Sequence, residues 1–290
     1  LGLSANPLIL STKANGISIF PNKSSFDYVI CALKIDDTYY FLDGSNKNAY
    51  FNIIPIKTMN WVGKIIKENG TFEDVELFNF PKSFQKTSVL AELDNEGKIK
   101  GMQRKQSNDF NAFLFREKFK NVSKESILEH YVKQYKVNVN DYEVKDLYEN
   151  EKQVTEDLKF DSSNLVENLG NKILISPLLF HSLDENPFKA ELRKYPLDFK
   201  FKNKLVISVT LDLGTDYSIE FLPKSKLITS EGGSLSYSFS LGEVNNKIQV
   251  IKTFEINNSM VPASEYQSIK KLFEEILKTE SEKIILKKKS

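Results

Sequence analysis

The sequence contains few of the side chains on which enzymatic and metal-binding chemistry usually depends. Among its 290 residues there are one cysteine, two histidines and one tryptophan. A single cysteine excludes a disulfide bond within the chain. Neither histidine has a cysteine or a second histidine beside it, as a zinc site requires, and no glycine-rich phosphate loop is present. We therefore expect neither a metal ion nor a cofactor.

The sequence also lacks a strong charge of one sign and a long apolar run. Its 40 basic and 39 acidic residues leave a net charge of +1, so long-range attraction to nucleic acid is not expected. No stretch approaches the ~18 consecutive apolar residues that a membrane-spanning helix needs, and no signal peptide is visible. With 40% hydrophobic and 12% aromatic residues, a chain of this length can bury the cores of two or three domains.

The stretch 25–46, SFDYVICALKIDDTYYFLDGSN, predicts two adjacent β-strands. Tyr28–Ile35 and Thr38–Leu42 are the strands, and Asp36-Asp37 forms the turn between them. This order of residues resembles the second half of a transglutaminase-like, papain-related catalytic core, whose pattern is roughly F-x-H-V-x-x-x-[VL]-x-[IV]-[DG]-[DG]-x-[WY]-x-x-[LV]-D. The residues that fit the pattern are Phe26, Val29, Leu33, Ile35, Tyr39, Leu42 and Asp43.

The resemblance extends to the start of the chain. Leu1-Gly2-Leu3 and the following Asn6–Leu10 are similar to the segment that leaves the catalytic helix of that family and enters its first core strand. The resemblance implies that a nucleophilic cysteine would lie before residue 1. It also implies that the chain is a fragment of a larger, exported, bacterial transglutaminase-like protein.

Tyr28 stands at the position where the family carries its histidine. In the family triad the imidazole holds the cysteine as a thiolate and an acidic residue orients the imidazole. Asp43 matches that acidic position. A phenol ordinarily loses its proton only near pH ~10, so it is a poor general base. We therefore interpret Tyr28 and Asp43 as remnants of a triad without catalytic activity. Asp43 has a second interpretation, as a strand-end carboxylate that accepts the N–H groups of a turn.

Cys31 is the only thiol in the chain. It lies three residues after Tyr28, so on a strand it points to the opposite face, and its apolar neighbours predict a buried, unreactive side chain. A rival triad of Cys31 and Asp43 with either His130 or His181 requires a long-range approach of these residues. The favoured interpretation of His181 is a packed loop residue.

Hairpins follow the two strands. Residues 61–80 predict a hairpin that turns at Asn69-Gly70, and Trp61 is interpreted as a core anchor. A second hairpin is predicted around the turn 94–97.

Three helices are predicted in the second part of the chain. A helical pair covers residues 108–135, with Ser123 capping its second member. A late helix follows Pro262, with Ser264 as its cap. The first helix carries an aromatic stripe that we assign to a core rather than to a ligand groove: Phe110, Phe113, Phe115 and Phe119.

The region 204–256 alternates apolar and polar residues over several short strands, which is typical of an antiparallel β-sandwich. In one of these strands Tyr237 and Phe239 alternate with serines. This face predicts either core or an open groove at which a partner strand could bind.

Two short stretches, 185–188 and 193–199, resemble a pattern in the carboxy-terminal domain that follows the core in large bacterial transglutaminase-like proteins. The resemblance implies a following β domain of unknown function. Within the second stretch, Arg193 and Asp198 are predicted to form a structural ion pair.

The predicted fold is α+β and mainly β. It consists of a partial transglutaminase-like sheet, followed by antiparallel β-sandwich-like domains with a helical pair and a late C-terminal helix. We predict the back half of the core at 1–60, a linker or hairpin at 61–80 and the sandwich-like region at 81–290, with a further division considered near 190.

The functional expectation is a pseudoenzyme fragment that binds a protein, a peptide or an envelope polymer in the periplasm or cell envelope. Two alternatives stay open: the rear half of a cysteine protease or transglutaminase, and an adhesion or structural module unrelated to this core. Because the strand Tyr28–Ile35 has apolar side chains on both faces, we also expect either a homodimer through the partial core or docking of its strands on the β domains.

Overall fold

Four β-sheets and three α-helices make up the part of the chain that the computed structural model describes, residues 4–17 and 24–289. Strands predominate, so the expected α+β, mainly β fold is confirmed. The segment Leu1-Gly2-Leu3, to which part of the resemblance was assigned, lies outside the described residues.

The first sheet has five strands, and the predicted hairpin belongs to it. Its strands are β1 (Ser4–Leu10), β2 (Tyr28–Ile35), β3 (Thr38–Leu42), β4 (Val62–Ile66) and β5 (Phe72–Glu76). They are arranged in the order β3-β2-β1-β4-β5. The pairing of Gly63 with Val75 confirms the hairpin, and Leu8 opposite Ile65 joins it to β1.

The two faces of this sheet are covered unequally. On β2, Ile30 and Ala32 are buried, whereas Val29 is 59% exposed and Cys31 is half-buried. The prediction that Cys31 is buried is therefore wrong, because the face on which its side chain lies is not fully covered. The other face of the sheet packs on the part of the chain that follows it. This is one of the two outcomes expected from the sequence, docking on the β domains rather than a homodimer. The homodimer stays a prediction.

Two helices come next in the chain, after the first sheet and one further hairpin. They are α1 (Asp109–Phe119) and α2 (Lys124–Tyr135). The predicted cap of α2 is confirmed, since the Ser123 side chain accepts a hydrogen bond from the backbone N–H of Ser126 at 3.2 Å. Lys136, the residue that follows the helix, adopts the left-handed conformation that closes many helices.

Helix α1 lies between two hydrophobic cores. Phe110 and Phe113 belong to the core beneath the five-stranded sheet, where the rings of Phe110 and Phe201 stack at a centroid distance of 5.1 Å. Phe115 and Phe119 belong to the larger second core. The predicted core role of this aromatic stripe is confirmed. Because a fully buried phenylalanine contributes ~1.5–3 kcal/mol of transfer free energy, this helix stabilises the contact between the two cores.

The second part of the chain contains the remaining strands and the last helix. In chain order the strands are β6 (Ser83–Leu93), β7 (Ile99–Ser107), β8 (Asn138–Lys145), β9 (Val154–Ser162), β10 (Val166–Leu169), β11 (Lys172–Ile175), β12 (Leu197–Asp198), β13 (Asn203–Asp212), β14 (Tyr217–Phe221), β15 (Lys226–Thr229), β16 (Leu235–Val244), β17 (Lys247–Ile256), β18 (Met260–Val261) and β19 (Ile284–Lys288). The helix is α3 (Tyr266–Ser281).

Eight of these strands form one large sheet, in the order β15-β16-β17-β13-β6-β7-β9-β8. Its middle is a parallel pair, in which Val209 of β13 lies opposite Val89 of β6. The other pairings in the sheet are antiparallel. The sequence predicted antiparallel pairing alone, and the parallel ladder joins two strands that are distant along the chain.

A four-stranded sheet, in the order β10-β11-β19-β14, shares the second core with the eight-stranded sheet. Helix α3 contributes Ile269, Leu272 and Ile276 to this core. Tyr237 and Phe239 are 0% and 1% exposed in it. Their face is therefore core, and the interpretation as an open groove is wrong.

Three further predictions are wrong. Trp61, which precedes β4, is 47% exposed and stacks on Phe78 instead of anchoring a core. The late helix begins after a short 3-10 turn, so Ser264 is not its cap. Arg193 donates to the carbonyl oxygen of Tyr195 at 3.1 Å instead of forming an ion pair with Asp198.

Asp198 is paired with Lys13, whose Nζ lies 2.5 Å from its Oδ2. This ion pair joins the segment after β1 to β12, so the first sheet and the second part of the chain are in contact. The proposed domain divisions at 60, 80 and 190 stay predictions.

Candidate functional site

The structure brings Tyr28 and Asp43 together. The Tyr28 hydroxyl donates a hydrogen bond to Asp43 Oδ2 at 2.9 Å and lies 2.7 Å from the Ser45 Oγ. Asp43, which is 6% exposed, also accepts the backbone N–H of Ser45 at 2.9 Å and its hydroxyl at 2.7 Å. The carboxylate therefore has both roles considered from the sequence, as the partner of residue 28 and as the acceptor of a turn.

This proximity follows from the register of two neighbouring strands. Cys31 of β2 pairs with Leu42 of β3 in antiparallel fashion. The first residue of β2 therefore lies beside the residues that follow β3. The sequence predicted both strands and their turn, and the family resemblance assigned Tyr28 and Asp43 to one site.

Asp27 fixes the segment that leads into β2. Its carboxylate accepts the backbone N–H and the hydroxyl of Thr12, both at 2.7 Å. These bonds hold the pKa of the Asp27 carboxyl below its usual range, the hydroxyl contributing most. On the other side, Lys57 Nζ lies 4.4 Å from the centroid of the Tyr28 ring, within cation–π distance. The phenol is thus held by a cation and by a carboxylate.

The arrangement offers a hydrogen-bond donor and a buried acceptor but no general base of the imidazole type. Cys31 lies on the face of β2 opposite to Tyr28, because side chains alternate along a strand. Within residues 4–17 and 24–289, no hydrogen bond joins Cys31 to Asp43 or to a histidine. The rival triad considered from the sequence is not assembled in this structure.

Both histidines lie against the second core. His181 is packed beside the rings of Tyr135 and Phe180, and its Nε2 donates to the Gln103 Oε1 at 2.7 Å. Burial lowers the pKa of His181 to about 3. The prediction of a packed loop residue is confirmed. His130 is partly exposed on α2, where its Nε2 lies 3.0 Å from Lys118 Nζ.

Sequence reasoning missed a buried polar cluster in the eight-stranded sheet. Glu156 is 2% exposed and accepts hydrogen bonds from the hydroxyls of Tyr131 and, at 3.1 Å, of Tyr142. Lys105 Nζ lies 3.1 Å from its other oxygen. Burial, together with the Glu156 carboxylate, raises the pKa of both tyrosines. The signal in the sequence was a glutamate at an inward position of a strand whose alternate residues are apolar.

A second missed feature is the buried guanidinium of Arg116. This residue is 1% exposed and donates to five backbone carbonyl oxygens of the loop 146–152. Burial lowers the pKa of Arg116. Its position on an otherwise apolar helix face was the available signal, and its role is to hold a loop.

No group of three metal-ligating side chains is found among the described residues. In the same part of the chain, no helix has both the length and the apolar character needed to cross a membrane.

A family model matches the C-terminal part of the chain. It is described as a domain of unknown function with a solved structure, DUF3858, and it matches residues 171–286. The match begins at β11 and ends within β19, which is less than half of the chain. It agrees with the following β domain of unknown function that the sequence predicted.

One solved structure to which the chain is similar is that of a candidate protease from Parabacteroides distasonis ATCC 8503. The sequence identity is 10% and the TM-score is 0.46, with 99% of this chain and 40% of that chain covered. The chain therefore spans less than half the length of that structure. A likeness at this level transfers no activity. No curated protein matches the sequence.

Proposed function

We propose that this chain is a non-catalytic module derived from a transglutaminase-like core, which binds a protein, a peptide or an envelope polymer. The observation that carries the proposal is the hydrogen bond from the Tyr28 hydroxyl to Asp43. The two residues that it joins stand where the resemblance places an imidazole and its orienting carboxylate. A phenol held in this way donates a hydrogen bond to the carboxylate, and it does not keep a cysteine as a thiolate.

The proposal extends to the parent protein. The pattern around Tyr28 and Asp43 supports a larger transglutaminase-like protein, and the match over residues 171–286 supports a following β domain. By resemblance alone, that protein is exported to the periplasm or the cell envelope.

The catalytic half of the proposal is tested by amine incorporation into casein and by peptide hydrolysis. We expect no turnover by the chain and none by Cys31→Ala, the matched variant without a thiol. Turnover that survives Cys31→Ala in a clean preparation would contradict the proposal. In a parent protein with a cysteine before this region, Tyr28→His is expected to raise activity, whereas Tyr28→Phe is not.

The same variants address the alternative, the rear half of an active cysteine enzyme. If Tyr28→His leaves the activity of such a parent unchanged or lowers it, Tyr28 does not occupy the histidine position. The binding half is tested separately, by cosedimentation of the chain with purified cell-envelope polymer and with albumin as the control. Retention no greater than that of albumin would remove the polymer from the proposed partners.

A further inference from the structure

A cavity of about 300 Å³ opens between α1, α2 and the end of β7, away from the Tyr28 site. Its floor is formed by buried rings of Phe115, Phe119 and Tyr131, and its mouth is polar. The polar side chains that line it are Gln85, Lys105, Ser107, Asn111, Lys118, His130 and Gln134. Three of these groups are basic and none of them is acidic.

Among the residues that the structure describes, Lys118 is paired with no group of opposite charge. Its Nζ lies 3.0 Å from the Nε2 of His130 and 4.6 Å from the centroid of the Phe119 ring. An ammonium group has only donors, so the imidazole nitrogen must accept and His130 must be neutral in this contact. Within the described part of the chain, no carboxylate is found at ion-pair distance from Lys118.

The buried carboxylate that acts on His130 is already paired with a cation. Glu156 of β9 accepts bonds from Tyr131 and Tyr142 and is paired with Lys105 of β7 at 3.1 Å. The charged and titratable groups that face His130 are therefore Lys118, Lys105, Glu156 and Tyr131. Burial and the two lysines lower the pKa of His130, and Glu156 opposes them in part. The positive charge left over at the cavity is that of Lys118.

We propose that this cavity binds a small oxyanion, the carboxylate or phosphate group of a ligand, between the Lys118 ammonium and the His130 ring. An anion at this position accepts from both side chains and replaces a contact in which a cation faces a neutral base. His130 takes up a proton from solvent as the anion binds, because the added negative charge stabilises the imidazolium. The site is separate from Tyr28, so it holds whether or not the chain is catalytic.

The two histidines make the test specific. In protein labelled at histidine, two-dimensional NMR follows the titration of each ring between pH 5 and 8. His181, with a pKa of about 3, serves as the reference that does not titrate in this range. Spectra are compared in sodium chloride, inorganic phosphate and acetate at equal ionic strength, so that screening of the lysines is the same in all three.

We expect phosphate or acetate to raise the pKa of His130 by about one unit relative to chloride, which corresponds to a roughly tenfold preference of the anion for the imidazolium form. A larger rise in phosphate assigns the site to phosphate groups, and a larger rise in acetate assigns it to carboxylates. The same pKa in all three salts would overturn the proposal.

Two lysine variants identify the contact. Lys118→Met removes the repelling cation, so it should raise the pKa of His130 in chloride and abolish the further rise with the oxyanion. Lys124→Met is the matched control, since Lys124 lies at the start of α2 and faces Asp141 at 3.9 Å, outside the cavity. Lys124→Met should retain the full rise. An anion-dependent rise that is equal in both variants would show that Lys118 does not bind the anion.

Discussion

Replacement of Arg116 by methionine would show how much stability a buried guanidinium contributes when its partners are neutral carbonyl groups. The side chain donates to the carbonyl oxygens of residues 146, 147, 149, 150 and 152 at distances of 2.6–3.1 Å. Methionine fills part of the same volume but has no donor. The variant therefore leaves five acceptors of one loop without their partner.

The magnitude follows from the cost of these unmade bonds. A hydrogen bond to a charged group contributes ~1.5–3 kcal/mol, but the five bonds do not add, because the loop 146–152 lies at the surface and water can reach it once it opens. We expect Arg116→Met to lower the free energy of unfolding by ~3–4 kcal/mol, which is large beside the ~5–15 kcal/mol of a typical domain. The free energy of unfolding of Arg116→Lys should lie between those of the unchanged protein and of Arg116→Met, since an ammonium has three donors and no planar fork.

Urea unfolding followed by circular dichroism measures this loss, and Arg104→Met is the matched control. Arg104 forms a bidentate pair with Asp157, at 2.7 and 2.8 Å, but its side chain is 51% exposed. Its removal should cost much less, because solvent screens an exposed ion pair. Equal losses in the two variants, or a loss under ~1 kcal/mol for Arg116→Met, would refute the reasoning. Hydrogen exchange should in addition show faster exchange in the loop 146–152 for Arg116→Met.

Three further predictions follow from buried groups and from local geometry. Because burial places the folded pKa of His181 at about 3, below the ~6.5 of an unfolded chain, the unfolded state binds the extra proton and stability should fall as the pH is lowered from ~6.5 towards 3, by up to ~1.4 kcal/mol per unit. Urea midpoints at several pH values should show a shallower fall for His181→Gln, and equal slopes would contradict the assignment. Gly101→Ala should cost ~2 kcal/mol or more, because its Cβ would lie 2.5 Å from the Leu90 carbonyl oxygen; thermal unfolding should show little change for the control Gly242→Ala, whose Cβ has nothing within 4 Å. Ser123→Ala should lower stability by ~1 kcal/mol through loss of the α2 cap, and an unchanged unfolding midpoint would show that this cap contributes nothing.

The sequence alone determined the features that depend on neighbouring residues. Alternation of apolar side chains predicted β2, β3 and the hairpin of β4 and β5, and the Ser123 cap predicted where α2 begins. Since β2 and β3 are joined by a two-residue turn, their register also placed Tyr28 beside Asp43. In each case the stabilising contacts join residues no more than 15 positions apart, so the local sequence pattern is enough to predict the structure.

Only the tertiary structure decided which distant surfaces meet. The parallel ladder between β6 and β13 joins strands far apart in the chain, and a strand's own periodicity is the same whichever neighbour it takes. The exposure of Trp61 and of one face of β2 depended on what the rest of the chain left uncovered. Likewise, Glu156 and Arg116 could be recognised as buried polar residues only once their partners from other elements were in place, because a charged group is stable in a core only when it is paired or hydrogen-bonded there.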